Sequence, residues 1–216
     1  MTFSPLTAYT RETLKRSSRQ GNKPRRLIIH HTAGGSLASN LHTLSAGPAK
    51  KSATYLLDTP GDLIGLVPEE FRPWTSGSFT ADGPAITVET INTTGAPTWR
   101  VSDAQIETLA QLAADCSRRY GWGRLTRDNV QGHRDYAATA CPGPYLYPRL
   151  DHIINRANAI RGGATTQEDD MGLTDEQATQ LGEIHGALRK GRAGVRFPGD
   201  LRTAIEKIDK RTIKIT

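Results

Sequence analysis

Cysteine is scarce in this chain: Cys116 and Cys141 are the only two in 216 residues. Two cysteines make no disulfide framework, which fits synthesis in a reducing cytosol. No apolar run approaches the ~20 residues that a membrane span needs, so no membrane insertion is expected. The opening Met1-Thr2-Phe3-Ser4-Pro5-Leu6 lacks a charged stretch followed by an apolar one, so no signal peptide is expected. Gly34-Gly35 lacks the spacing and strand–helix context of a dinucleotide fingerprint, which argues against phosphate binding there. No internal repeat is evident. What remains, with 21 glycines and 12 prolines, suits a loop-rich globular enzyme better than a helical bundle. The length allows one medium domain and a small appendage.

Charge is abundant but unevenly placed. The net charge is +6, and residues 1–26 hold seven Lys/Arg against one acid, Glu12. The remaining chain is balanced. The excess therefore reads either as a solvated face or as a means of attraction to a polyanion, cell-wall polymer or nucleic acid.

Along the chain, residues 7–20 read as a short helix carrying Arg11, Lys15, Arg16 and Arg19. Arg26 to His31 reads as a buried strand, because Leu27, Ile28 and Ile29 are contiguous. Residues 36–46 suggest a weak helix with His42 on its surface. Ala53 to Leu57 and Leu63 to Val67 suggest a hairpin around Thr59-Pro60-Gly61-Asp62. Ala85 to Ile91 is a third strand, with Ile86 and Val88 facing one way and Thr87 and Glu89 the other. A carboxylate among apolar strand neighbours is an edge-strand charge or a pocket-facing acid. Ser102-Asp103-Ala104-Gln105 is a capping box. The helix it opens has an apolar stripe of Ile106, Leu109, Ala113, Cys116 and Tyr120, which makes Cys116 a core thiol. Gly121 stops it. Residues 147–160 suggest a final helix with Leu150, Ile153, Ile154 and Ala157 inward and His152 outward.

The chemistry gathers at Gly132-His133-Arg134-Asp135 and Ala140-Cys141-Pro142-Gly143. An imidazole and a thiolate eight positions apart can reach one metal ion if the loop between them curls back. Zinc takes such N/S donors, and a catalytic zinc site needs a third protein ligand. The pair His30-His31 offers it. Neighbouring strand residues point to opposite faces, so both should not bind; strand geometry alone leaves the choice open.

Ile28-Ile29-His30-His31-Thr32-Ala33, the strand ending in Glu89, and His133 through Cys141-Pro142-Gly143 together resemble the zinc N-acetylmuramoyl-L-alanine amidases. This is the type 2 amidase and peptidoglycan-recognition-protein family, which includes phage endolysins. The resemblance covers roughly residues 25–155. It implies a mixed α/β fold with helices flanking the sheet, and zinc held by His30, His133 and Cys141. His31 is then a core histidine or a partner that steadies the metal ligands. The resemblance further implies Glu89 as general base and Thr139 as the group that steadies the oxyanion. Tyr55 lies near a functional tyrosine of some members. Trp74 and Tyr136 offer flat faces for sugar or peptide, with ordinary packing as the alternative. The chain departs from the pattern at Ser52-Ala53-Thr54-Tyr55 and Trp74-Thr75-Ser76-Gly77, each lacking a histidine that relatives often carry.

The implied activity is cleavage of the amide between N-acetylmuramic acid and L-alanine in bacterial peptidoglycan, as in a phage endolysin made in the host cytoplasm and released to the wall. A recycling amidase and a non-catalytic receptor of the same fold are the rivals. Receptors of this family typically lose the cysteine, which is present here. A nucleic-acid enzyme would leave Cys141 and the Pro-Gly stop unexplained, so no nucleic-acid partner is expected. The expected organisation is a basic segment (1–24), the zinc amidase domain (25–160), a linker (161–172) and a helical appendage (173–216). The appendage carries two short apolar stripes, Leu181/Ile184/Leu188 and Leu201/Ile205/Ile208, suited to wall binding or self-association. Gln167-Glu168-Asp169-Asp170 before Met171 can be encoded with a ribosome-binding sequence, so a separate 171–216 product is a further expectation.

Overall fold

A computed structural model describes residues 2–162. The linker beyond residue 162, Met171 and the appendage lie outside the described residues.

The chain opens with β1 (Thr7–Thr10), β2 (Arg16–Ser18) and β3 (Arg26–His31). Helix α1 (Leu37–Leu41) runs into a π-helical turn, His42–Ala46. Next come β4 (Tyr55–Leu57), β5 (Leu63–Gly65), β6 (Phe71–Pro73), α2 (Phe79–Asp82) and β7 (Ala85–Thr90). The long helix α3 (Asp103–Tyr120) is followed by β8 (Val130–Gly132), α4 (Gly143–Leu146) and α5 (Leu150–Arg161). Six strands form one sheet in the order β1-β5-β4-β7-β3-β8, and β2 pairs with β6 apart from it. All neighbours in the large sheet are parallel except β4 and β5, which form the expected hairpin. This is the mixed α/β architecture that the family resemblance implied.

The period-two alternation of the strands divides the core. Leu27, Ile29, Ile86, Val88, Tyr55 and Leu57 face α3 and α5 in the main cluster. Leu56, Ile64 and Leu66 face the other way, towards Leu44 and the α1 side chains Leu37 and Leu41. Each of these fully buried aliphatic side chains contributes on the order of 1.5–3 kcal/mol. Helix α3 starts at the capping box: Gln105 N–H donates to Ser102 Oγ at 3.1 Å, and Ser102 N–H donates to Gln105 Oε1 at 2.8 Å. It ends where Gly121 takes φ 68°, a left-handed turn that costs glycine little. Cys116 is wholly buried on its inward stripe.

The helix expected over residues 7–20 is absent; two short strands stand in its place. The segment has no apolar stripe at helical spacing to bury, and Leu14 is 85% exposed. Instead β1 adds to the sheet edge beside β5. The boundary expected at residue 24 is therefore not a structural one. Arg19 is buried and donates to Glu69 O at 2.8 Å, Gly83 O at 2.5 Å and Ala85 O at 2.9 Å. Burial pushes its pKa down to about 10, with Tyr120 and Glu69 opposing. This cation ties the N-terminal segment to the sheet and is unavailable to an outside polyanion.

A second buried charge completes that attachment. The Glu69 carboxylate is 1% exposed and accepts both Arg119 Nη groups, at 2.5 and 2.9 Å. Tyr55 also donates to it at 2.6 Å, as does Tyr120. Ser4 N–H in turn donates to Tyr55 Oη at 2.7 Å. Every oxygen of the buried carboxylate thus has a partner, which is what a buried charge requires.

Candidate metal centre

Of the two histidines, it is His30 that the fold brings to His133 and Cys141. His30 shares a face with Ile28, away from the main core, and is 1% exposed. Strand β8 lies parallel to β3 with Gly132 opposite Ile29, so the chain leaving β8 delivers His133 beside His30. Their ring centroids are 4.6 Å apart. The loop from His133 then curls back on itself. Arg134 N–H donates to Cys141 O at 3.0 Å, Arg134 Nη2 donates to Ala140 O at 2.7 Å, and Cys141 N–H donates to Thr139 Oγ1 at 3.2 Å. Cys141 Sγ ends 3.6 Å from His30 Nδ1.

Two glycines make this return possible. A Cβ on Gly132 would meet Pro142 Cδ at 2.8 Å and Tyr147 at 2.9 Å. One on Gly143, at φ +90°, would meet the His31 ring at 2.9 Å. His31 thus packs between Gly143 and the edge of Trp99, whose ring centroid is 5.8 Å away.

One donor atom from each of His30, His133 and Cys141 lies within 4.8 Å of the others. Burial lowers the pKa of His30 well below its ordinary value, helped by His133 alongside, and burial likewise lowers His133. Both imidazoles are therefore kept neutral, the form that ligates metal. Burial pushes the Cys141 thiol up to about 12, with the Glu89 charge adding to it. A cation brought to this sulfur would reverse that preference and hold the thiolate.

Glu89 lies opposite His30 in the β3–β7 ladder, on the same face. Its Oε2 is buried with no hydrogen-bond partner among the described residues. Burial raises its pKa to about 8, and the Lys51 charge opposes that rise. A cavity of ≈ 250 Å³ joins the three donors to Glu89, Lys51 and Thr75.

The N-acetylmuramoyl-L-alanine amidase family profile matches residues 20–144. The chain belongs to this family. Known structures agree on the fold. The crystal structure of a Se-Met AmpD derivative is 19% identical, with 71% of this chain and 99% of that chain covered and a TM-score of 0.53. The Staphylococcus aureus hydrolase AmiA, solved with its ligand, is 16% identical, covering 75% and 87%, with a TM-score of 0.58. The N-acetylmuramoyl-L-alanine amidase LysC from Clostridium intestinale is also 16% identical, covering 69% and 97%, at 0.53. No curated protein matches the chain.

In this amidase the aromatic candidates do not line the cavity. Tyr55 is wholly buried on the opposite face of the sheet, with its hydroxyl on Glu69, so it is a core residue rather than a substrate contact. Its position opposite Val88 rather than Glu89 fixes that orientation. The Tyr136 hydroxyl is engaged by Arg26 and Gln131, and its ring packs on Ile28, Ala81 and Ala85. Trp74 is half-buried, with its indole N–H on Ser17 Oγ at 3.2 Å. Thr139 accepts from Cys141 N–H and shapes the loop; a hydroxyl that accepts still has its own proton to donate.

Three amidase residues escaped the sequence reading. Ser76 Oγ lies 3.4 Å from His30 Nε2, the nitrogen turned away from Cys141. Asp82, wholly buried, holds Ser76 by accepting its N–H at 3.0 Å, and accepts Thr75 N–H at 3.1 Å. Lys51 is the third. Ser76 falls in the stretch where relatives often carry Trp-His-Ala-Gly; the residue itself gives no signal until the loop is placed beside His30.

Proposed function

We propose that this amidase is zinc-dependent and hydrolyses the amide between N-acetylmuramic acid and L-alanine, as a phage-type endolysin. The observation that carries the reading is the convergence of two neutral imidazoles and one sulfur, facing a buried carboxyl with an unpartnered oxygen. Two nitrogens and one thiolate are a donor set zinc accepts, leaving a fourth position for water or substrate. His30, His133 and Cys141 would hold the ion.

When bound, zinc supplies a Lewis acid that polarises the scissile carbonyl and acidifies the attacking water. Glu89 accepts the water's proton at Oε2 and delivers it to the leaving alanine nitrogen. Burial, which raises its pKa to about 8, suits the delivery half of that task; a cation at the three donors, together with the Lys51 charge, would lower the pKa again and free the carboxylate to accept. Thr139 donates a hydrogen bond from its hydroxyl to the oxyanion. Ser76 accepts from His30 Nε2 and so keeps the Nδ1 lone pair turned towards Cys141.

The exposed cations Arg11, Lys23 and Arg25 support action on an anionic wall. In this reading the protein is made in the host cytoplasm and meets the wall after release. Residues 173–216 then form an appendage for wall binding or self-association. The test is release of new L-alanine amino termini from purified sacculi by zinc-loaded protein. Cleavage of soluble muropeptides with intact sacculi untouched would place the protein with the recycling amidases.

A further inference from the structure

Lys51 precedes β4, and its side chain lines the metal pocket with Glu89, His133 and Cys141. Apart from histidines it is the only basic residue in that lining. Its charge lowers the pKa of Glu89, so the ammonium lies within electrostatic reach of the catalytic carboxyl. Yet among the described residues no carboxylate forms an ion pair with Lys51 within 4.0 Å. The other polar side chains on that wall are engaged at home. Asn40 Nδ2 donates to Gly34 O at 3.1 Å and Ser36 O at 3.0 Å, and Thr43 Oγ1 donates to Ser39 O at 3.0 Å. The pocket therefore presents an exposed, unpaired cation beside the reacting groups.

The proposed substrate supplies a matching anion. Beyond the L-alanine of the scissile bond, the next stem residue lies one Cα step away, about 3.8 Å. That residue is a glutamate joined through its side chain, so its α-carboxyl is left over, either free or amidated. We propose that Lys51 binds the free α-carboxylate of this second stem residue and makes the enzyme prefer stems in which it is not amidated. The proposal rests on the amidase reading above. A lysine here cannot discriminate by shape, since carboxylate and carboxamide are nearly isosteric. It discriminates by charge, because an ammonium offers three donors and no acceptor for the amide's NH₂.

Two soluble substrates differing only at that group provide the test: muramoyl-L-alanyl-D-isoglutamate and muramoyl-L-alanyl-D-isoglutamine. Zinc-loaded wild type is expected to favour the acid by about tenfold in kcat/KM, the size of a charge-assisted hydrogen bond, with the difference in KM. Lys51→Gln should bring the ratio close to one, and Lys51→Arg should retain most of it. Titration of both compounds onto chelator-treated full-length protein should show the same preference in Kd, independent of turnover. An undiminished ratio in Lys51→Gln would overturn the proposal. So would an equal fall in kcat on both substrates, which would make Lys51 a positioning residue acting through Glu89. Wild type that cleaves both equally sinks the Lys51 assignment alone. Zinc-loaded wild type that cleaves neither sinks the amidase reading and this proposal with it.

Discussion

His30 and Glu89 face each other across the parallel β3–β7 ladder, on the same side of the sheet. The proposed metal donor and the proposed proton acceptor are thus held at a fixed separation by backbone hydrogen bonds rather than by loops. Sites built on strands keep their geometry better than sites on loops. That relationship predicts a separation of roles. Glu89→Gln should keep zinc and fold while turnover falls roughly 10²-fold or more, the usual size of a general-base effect. Steady-state rates alongside metal content check this, and near-normal turnover would reduce Glu89 to a strand charge.

Ser76→Ala removes the group facing His30 Nε2. Zinc affinity should fall about 10-fold to 100-fold, as for other hydrogen-bond partners of metal-ligating histidines. Competition against a chelator of known affinity measures it. An unchanged affinity would mean that the 3.4 Å contact does not orient the ring.

Glu69→Ala leaves Arg119 and two tyrosine hydroxyls without their shared acceptor. Removing one partner of a buried pair costs about 3–5 kcal/mol, and urea unfolding should show a loss of that order. Zinc stoichiometry should not change, because the Tyr55 side of the sheet faces away from the cavity. A loss under about 1 kcal/mol would show that water replaces the carboxylate without penalty.

Much of this architecture was legible from periodicity and caps. Alternation placed Ile86 and Val88 in the core and Glu89 on the other side, and the Ser102 box and Gly121 bounded α3. The N-terminal strands were not legible, because β1 is a short edge strand and Arg16 and Arg19 look like solvated charges. Arg19 is instead buried against the carbonyls of Glu69, Gly83 and Ala85, more than 49 residues away. Tyr55 misled because a motif gives position but not pairing register, and register decides which face a strand residue takes. Lys51, Ser76 and Asp82 reach the site through the topology, so no local pattern marks them. His30, His133 and Cys141 stood out because their residue types and order are rare together.

With Arg19 buried, the outward-facing cations Arg11, Lys23 and Arg25 carry the wall-attraction idea. Activity on intact walls should fall steeply as salt shortens the screening length to about 10 Å and below, while activity on a small soluble muropeptide should barely change. Charge neutralisation by Lys23→Gln with Arg25→Gln should flatten the salt curve on walls. Equal salt sensitivity on both substrates would argue against attraction.

Zinc chemistry in this protein depends on the three donors His30, His133 and Cys141. Native mass spectrometry of the full-length protein, paired with amide cleavage, is the most direct measurement. Wild type and Cys116→Ser should each carry a single zinc and cleave, since Cys116 is sealed in the core. Cys141→Ser should lose zinc and cleavage together, because a neutral hydroxyl is a far poorer ligand than a thiolate. Chelated wild type should regain both on adding zinc. A Cys141→Ser protein that holds stoichiometric zinc and turns over normally would contradict the site.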